Sequence, residues 1–145
     1  MSCILRVSGE KFKVDEFLSF SKLNAYSIRR IGEKRDPRMK LDSEFHETSG
    51  FQLEVSNADY NDFDRQKADA VNFLKQNYKY LSTISTYGMH TGKEDSIYLD
   101  FAIENLYPDF YIQTKFLEPE LLQLAGNLNI EIALSLYEPD SDEEE

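Results

Sequence analysis

The sequence predicts an α+β domain, a mainly antiparallel sheet with helices packed on one face. Three observations carry this. Gly50–Ser56 places Phe51, Leu53 and Val55 on one side and Gln52, Glu54 and Ser56 on the other, the pattern of a half-buried strand. A strand–helix–strand order can be read three times along the chain. The long continuous apolar strands of a doubly wound parallel fold are absent, and alternation of this kind implies one solvated sheet face.

The elements follow in order. Cys3–Val7 is a short β-prone run stopped by Gly9. Val14, Phe17 and Leu18 recur at helical spacing with Asp15 in the first turn, so a helix is expected over Asp15–Leu23, with Asn24 as its stop. Tyr26–Ile31 alternates and reads as a strand. Glu33–Thr48 is charged, lacks a sustained period and contains Pro37, which suits a long loop or irregular hairpin. Asn61 or Asp62 is placed to cap a helix over Phe63–Leu81, with Ala70, Val71, Leu74, Tyr78 and Leu81 as its apolar stripe.

Gly88 and Gly92 punctuate the loop that follows. Ser96–Ile103 alternates Ile97, Leu99, Phe101 and Ile103 against Tyr98, Asp100 and Ala102. Tyr107-Pro108-Asp109 is a turn signal, and Phe110–Phe116 is expected to return as the second strand of a hairpin. Pro119 suits the first position of a short helix because it has no N–H to leave unpaired, and Gly126 is placed to end that helix. Ile130–Leu136 is the last strand. The expected core includes Val55, Leu74, Leu99, Phe101, Leu122 and Leu134.

At 145 residues the chain fits one domain, expected over 1–137, and needs no disulfide or metal to fold. Its single cysteine, Cys3, admits no intrachain disulfide and suits a reducing cytoplasm. Neither a signal peptide nor a membrane-spanning stretch is expected. The net charge is −11, of which six negative charges fall in the last eight residues. This acidic tail, 138–145, has too little apolar area to offset chain entropy and is expected to be disordered. The overall sign disfavours nucleic acid as a partner and is compatible with a basic protein.

SGFQLEVS, a long helix ending near FLKQNYKYL, the LDFAI strand and the closing LLQLAGNLNIEIALSLY together resemble a family of small bacterial domains of unknown function. The resemblance covers most of residues 49–137 and rests on apolar framework motifs. It implies a bacterial cytoplasmic setting, and it carries over no catalytic residue.

No motif on this frame specifies a reaction. His46 stands beside Glu44 and Glu47, and His90 in YGMHTG, without the converging ligands or spacing of a zinc site. Asp59, Asp62 and Asp64 lack the turn glycine and distant glutamate of a calcium loop, and helix capping explains them. Cys3 has apolar neighbours and reads as a buried, inert thiol. Gly88–Gly92 lacks the lysine and helix of a phosphate loop. No metal, cofactor or catalytic set is expected.

One segment departs from the overall charge. Arg29, Arg30, Lys34, Arg35, Arg38 and Lys40 outnumber Glu33 and Asp36 by four. These residues form either a contact surface or a solvated loop paired within the molecule, and the second is preferred. Tyr107 and Tyr111 are candidates for an aromatic contact patch, because tyrosine is enriched at interfaces. The function expected is a non-catalytic protein-binding module with a surface drawn from Arg29, Arg30, Arg35, Arg38, Tyr107 and Tyr111. The alternative is a small-molecule-binding domain or a small enzyme without a recognisable motif.

Overall fold

Cys3, Leu5 and Val7 are buried while Ile4, Arg6 and Ser8 are only partly covered, so one face of their strand meets the core, and pairing on both sides places it at the centre of the sheet. The computed structural model describes residues 1–35, 45–89, 95–104 and 112–138. It contains five strands, β1 (Cys3–Gly9), β2 (Ser27–Arg29), β3 (Ser49–Ser56), β4 (Ser96–Glu104) and β5 (Glu131–Tyr137). Four helices accompany them, α1 (Val14–Ser21), α2 (Phe63–Gln76), α3 (Tyr78–Leu81) and α4 (Pro119–Asn127), with a 3-10 turn over Ile84–Tyr87. The strand order is β2-β3-β1-β4-β5. All neighbours run antiparallel except β4 and β5, which are parallel. A parallel pair needs a crossover, and α4 lies within it. The fold is therefore the α+β class that the alternating strands predict.

The helices gather on the face defined by Leu5, Phe51, Leu53, Leu99 and Phe101, all buried. Phe17 of α1 stacks on Phe51 at 6.0 Å between ring centres. Phe63 of α2 meets Phe101 edge-on at 5.5 Å. On the opposite face Arg6 Nε donates to Asp100 Oδ2 at 3.1 Å, and Ser135 Oγ donates to Asp100 Oδ1 at 2.6 Å. One carboxylate thereby ties β1, β4 and β5 across the polar side. The register slips once, between Cys3 and Ile4, which face Ser56 and Glu54. Val55 is the extra residue of this bulge and is only partly buried.

Local chemistry sets several boundaries. Asp62 caps α2 by accepting from the Arg65 N–H at 3.1 Å. The helix expected over Phe63–Leu81 breaks at Asn77, whose side-chain amide donates to the Phe73 carbonyl at 3.0 Å. Beyond that break Tyr78 turns outward while Leu81 stays in the core. α1 ends at Lys22, in the left-handed region, slightly before the expected stop. Gly88 has φ +87, and a Cβ there would lie 2.0 Å from the Lys11 carbonyl oxygen, so the turn requires glycine.

Three expectations are corrected. Leu122 is 46 % exposed, because α4 buries Leu121 and Ala125 and the next position points about 100° away. Leu134 is 41 % exposed, because β5 is the edge strand and helix cover ends before it. Ile112–Phe116, the described part of the expected strand 110–116, is not a strand. Both edges of β4 are already taken by β1 and β5, so no hairpin partner remains available to it. Leu74, Leu99 and Phe101 are fully buried as expected. Of the expected tail only Glu138 lies within the described residues. Among those residues no helix is long and apolar enough to cross a membrane.

Candidate interaction surface

The two ends of the sheet differ. β2 has three residues and carries Arg29, and a short, charged edge resists pairing with other chains. β5 has seven residues in unbroken register with β4, and Glu131 is its one charged residue. It holds neither Lys nor Pro, the usual guards of an edge. Leu134 and Leu136 share the helix-side face with Phe101 and Ile103, their partners on β4. Leu136 is 62 % exposed and Tyr137 50 % exposed. Tyr60 meets Tyr137 at 5.7 Å between ring centres, and the Tyr60 carbonyl accepts from the Glu104 N–H at 2.9 Å. Among the described residues, apolar and aromatic groups therefore line the C-terminal half of this edge.

A cavity of about 230 Å³ opens at the other end of β4 and β5. Leu81, Ile84, Met89, Ile97 and Leu128 supply its apolar wall. Ser85, Asp95, Asn127, Asn129 and Glu131 supply polar groups. Asn129 takes a left-handed conformation, φ 56, which asparagine tolerates better than most residues. Glu131 belongs both to this cavity and to the start of β5.

Lys67 marks a third place where charge and burial meet. It is 5 % exposed, yet its Nζ donates to the Phe116 carbonyl and to Glu118 Oε1, each at 2.7 Å. Asp64 lies 3.4 Å away, and the Phe63 ring centre 4.5 Å away. The Lys67 hydrogen bond holds the Glu118 carboxyl below the ordinary glutamate range. Every polar contact here is internal, so the cluster fastens residues 116–118 to α2. Its signal was present in the sequence: Phe63, Lys67, Ala70 and Leu74 fall on one helical stripe, and the lysine interrupts it.

The predicted surface residues are distributed as follows. Arg29 Nε donates to Thr48 Oγ1 at 3.3 Å. Arg30 makes a two-pronged pair with Asp15 of α1, with Nη2 to Oδ1 at 2.8 Å and Nε to Oδ2 at 2.9 Å. That hydrogen-bonded pairing lowers the Asp15 pKa and raises that of Arg30. Arg35 is exposed, and Arg38, Tyr107 and Tyr111 lie outside the described residues. His90 also lies outside them. His46 is tied into the strand-like pairing of 32–34 with 45–46, its N–H donating to the Glu33 carbonyl. Burial first, then Arg29 and Arg35, holds its imidazole below the usual range. Cys3 is fully buried, and burial pushes its thiol pKa far up, with Asp100 and Asp69 adding to the shift. Among the described residues no three of His, Cys, Asp and Glu converge as metal ligands.

Fold and surface together define a small α+β domain in which, among the described residues, the β5 edge carries no Lys or Pro. The chain belongs to the family described as Domain of unknown function (DUF4279), whose model matches residues 1–139. No curated protein and no solved structure matches it.

Proposed function

We propose that this chain is a non-catalytic protein-binding module that receives a basic partner along β5. The observation that carries this is the β5 edge, seven residues long, with Leu134, Leu136 and Tyr137 uncovered. An edge strand offers a row of backbone donors and acceptors, and a partner that adds a strand gains affinity from them. Side-chain pockets and charge then select the partner. The chain's net charge of −11 favours a basic partner and opposes pairing with a second copy of itself.

The test is affinity capture from the native host with the wild-type chain and a Leu134→Lys, Leu136→Lys variant. Recovery of a basic protein by the first and not the second supports the proposal. Failure to capture a partner, or equal capture by both, overturns it.

A small-molecule-binding domain is the second reading, and the cavity between the 3-10 turn and the end of α4 is the observation that favours it. Its volume is below the roughly 300–1,000 Å³ of typical ligand sites.

A further inference from the structure

α4 has two flanks, and among the described residues only one is occupied. Leu121, Ala125 and Leu128 turn into the core. On one side Glu120 pairs with Lys75 of α2. Phe63 of α2 reaches Phe101 of β4, so α2 lies over the middle of the sheet. α4 touches both α2 and β5, which places it between α2 and the sheet edge. Successive helical residues turn about 100°, so Leu122 points about 200° from Glu120, to the flank away from α2. Gly126 follows one turn later on the same flank. Leu122 is exposed, and a Cβ built at Gly126 meets nothing within 4 Å among the described residues. This flank overlooks the edge where Leu134 and Leu136 lie uncovered on the helix-side face. A strand added to β5 would run about 4.8 Å beyond it, beside this flank.

The opposite face of β5 has another character. Glu131, Ala133, Ser135 and Tyr137 lie there, in register with Tyr98, Asp100, Ala102 and Glu104. The charge of Asp100 is matched by Arg6, and Ser135 holds its other oxygen. Glu131 is exposed and, among the described residues, has no ion-pair partner. Tyr137 offers a half-exposed ring on which a cationic side chain can rest. Side chains of an added strand alternate between the two faces. We propose that the partner segment is an extended strand in which bulky apolar and basic residues alternate, and that Leu122 and Gly126 of α4 form the wall against which its apolar residues pack. The inference rests on the protein-binding reading above and adds α4 to its surface. Backbone pairing along β5 is indifferent to sequence. The α4 wall on one face and Glu131 on the other set the register, because a slip of one residue exchanges the two faces.

The experiment uses a synthetic probe. Amide shifts of the full chain are followed by NMR while an end-blocked heptapeptide of alternating lysine and valine is added. The control is the same peptide with serine in place of valine, which has equal charge and no apolar face. Saturable shifts are expected at Leu122, Gly126, Leu134 and Leu136, with clearly weaker binding of the serine peptide. Leu122→Lys should weaken the valine peptide about tenfold, the scale of one lost leucine contact with a like charge added. Gln123→Lys adds the same charge at the next exposed position, turned about 100° further from the β5 edge, and should weaken it less than about twofold. Both positions are exposed, so both variants should melt near wild type. Absence of saturable shifts, equal binding of the serine peptide, or equal weakening by the two lysine variants would overturn the proposal. The two readings fail separately. Capture of a basic protein that is lost in the β5 variant and kept in Leu122→Lys overturns the role of α4 alone. Binding of the valine peptide by a chain that captures nothing overturns the partner and leaves a strand-binding edge.

Discussion

Lys67 shows how much of a residue's role depends on what surrounds it. Its ammonium is buried, while Glu118, its closest carboxylate, is 53 % exposed in its side chain. Removing the lysine would let Glu118 regain water rather than strand a buried charge. Lys67→Met should therefore cost about 1–3 kcal/mol, the scale of a hydrogen bond to a charged group, and not the larger cost of an orphaned ion. Urea unfolding measures this. The pH dependence has a definite sign. Glu118 is held below its ordinary value of 4.5 in the folded chain, so its contribution is present above that value and is lost as pH falls through the folded one. The stability gap between wild type and Lys67→Met should narrow in melts below pH 4.5. Leu74 is the apolar counterpart. It is fully buried, and Leu74→Ala should cost about 2–5 kcal/mol in the same assay.

Among the elements, β5 and α2 carry the main lessons. The β5 edge keeps Leu134 and Leu136 outside the core, so replacing both with lysine should change stability little, within about 0.5 kcal/mol per site. A large loss of melting temperature in Leu134→Lys, Leu136→Lys would show that the edge is needed for folding. The periodicity predicts one helix to Leu81, and the apolar stripe does continue through Leu74 to Leu81. Periodicity alone does not register the Asn77 side chain competing for the Phe73 carbonyl. Segment 112–116 failed in the opposite direction. Phe116 and Ile112 suggest a strand, yet they are 71 % and 80 % exposed, because no sheet edge beside β4 was left for them. Pairing is a property of two strands, and only one of them is visible in a local pattern.

At the scale of the whole molecule, charge bears on the partner proposed above. A chain of net charge −11 would attract the proposed basic partner over distances that salt shortens, to about 8 Å at physiological ionic strength. Association measured by stopped flow should slow steeply as salt rises, while dissociation, held by backbone pairing along β5, should change less. A salt-independent on-rate would remove charge from the account. In the basic 29–35 region Arg30 pairs with Asp15, whereas Arg29 donates to the neutral Thr48 hydroxyl and keeps its charge.

By itself the sequence determined the class of the fold, the main strands and helices, a cap for α2 at Asn61 or Asp62 and the burial of Leu74, Leu99 and Phe101. These depend on period and on local hydrogen bonding, which act over a few residues. The tertiary structure alone decided which strand lies at the edge, and hence that Leu134 and Leu136, though on the helix-side face, stay exposed. It also decided that β4 pairs with β5 rather than with 112–116, that Lys67 closes on Glu118, and that Asp95 and Glu131 meet at one cavity. Each of these joins residues far apart along the chain. An alternating strand has the same pattern whether its neighbour is another strand or open water, so the candidate surface emerged only when the strands were ordered.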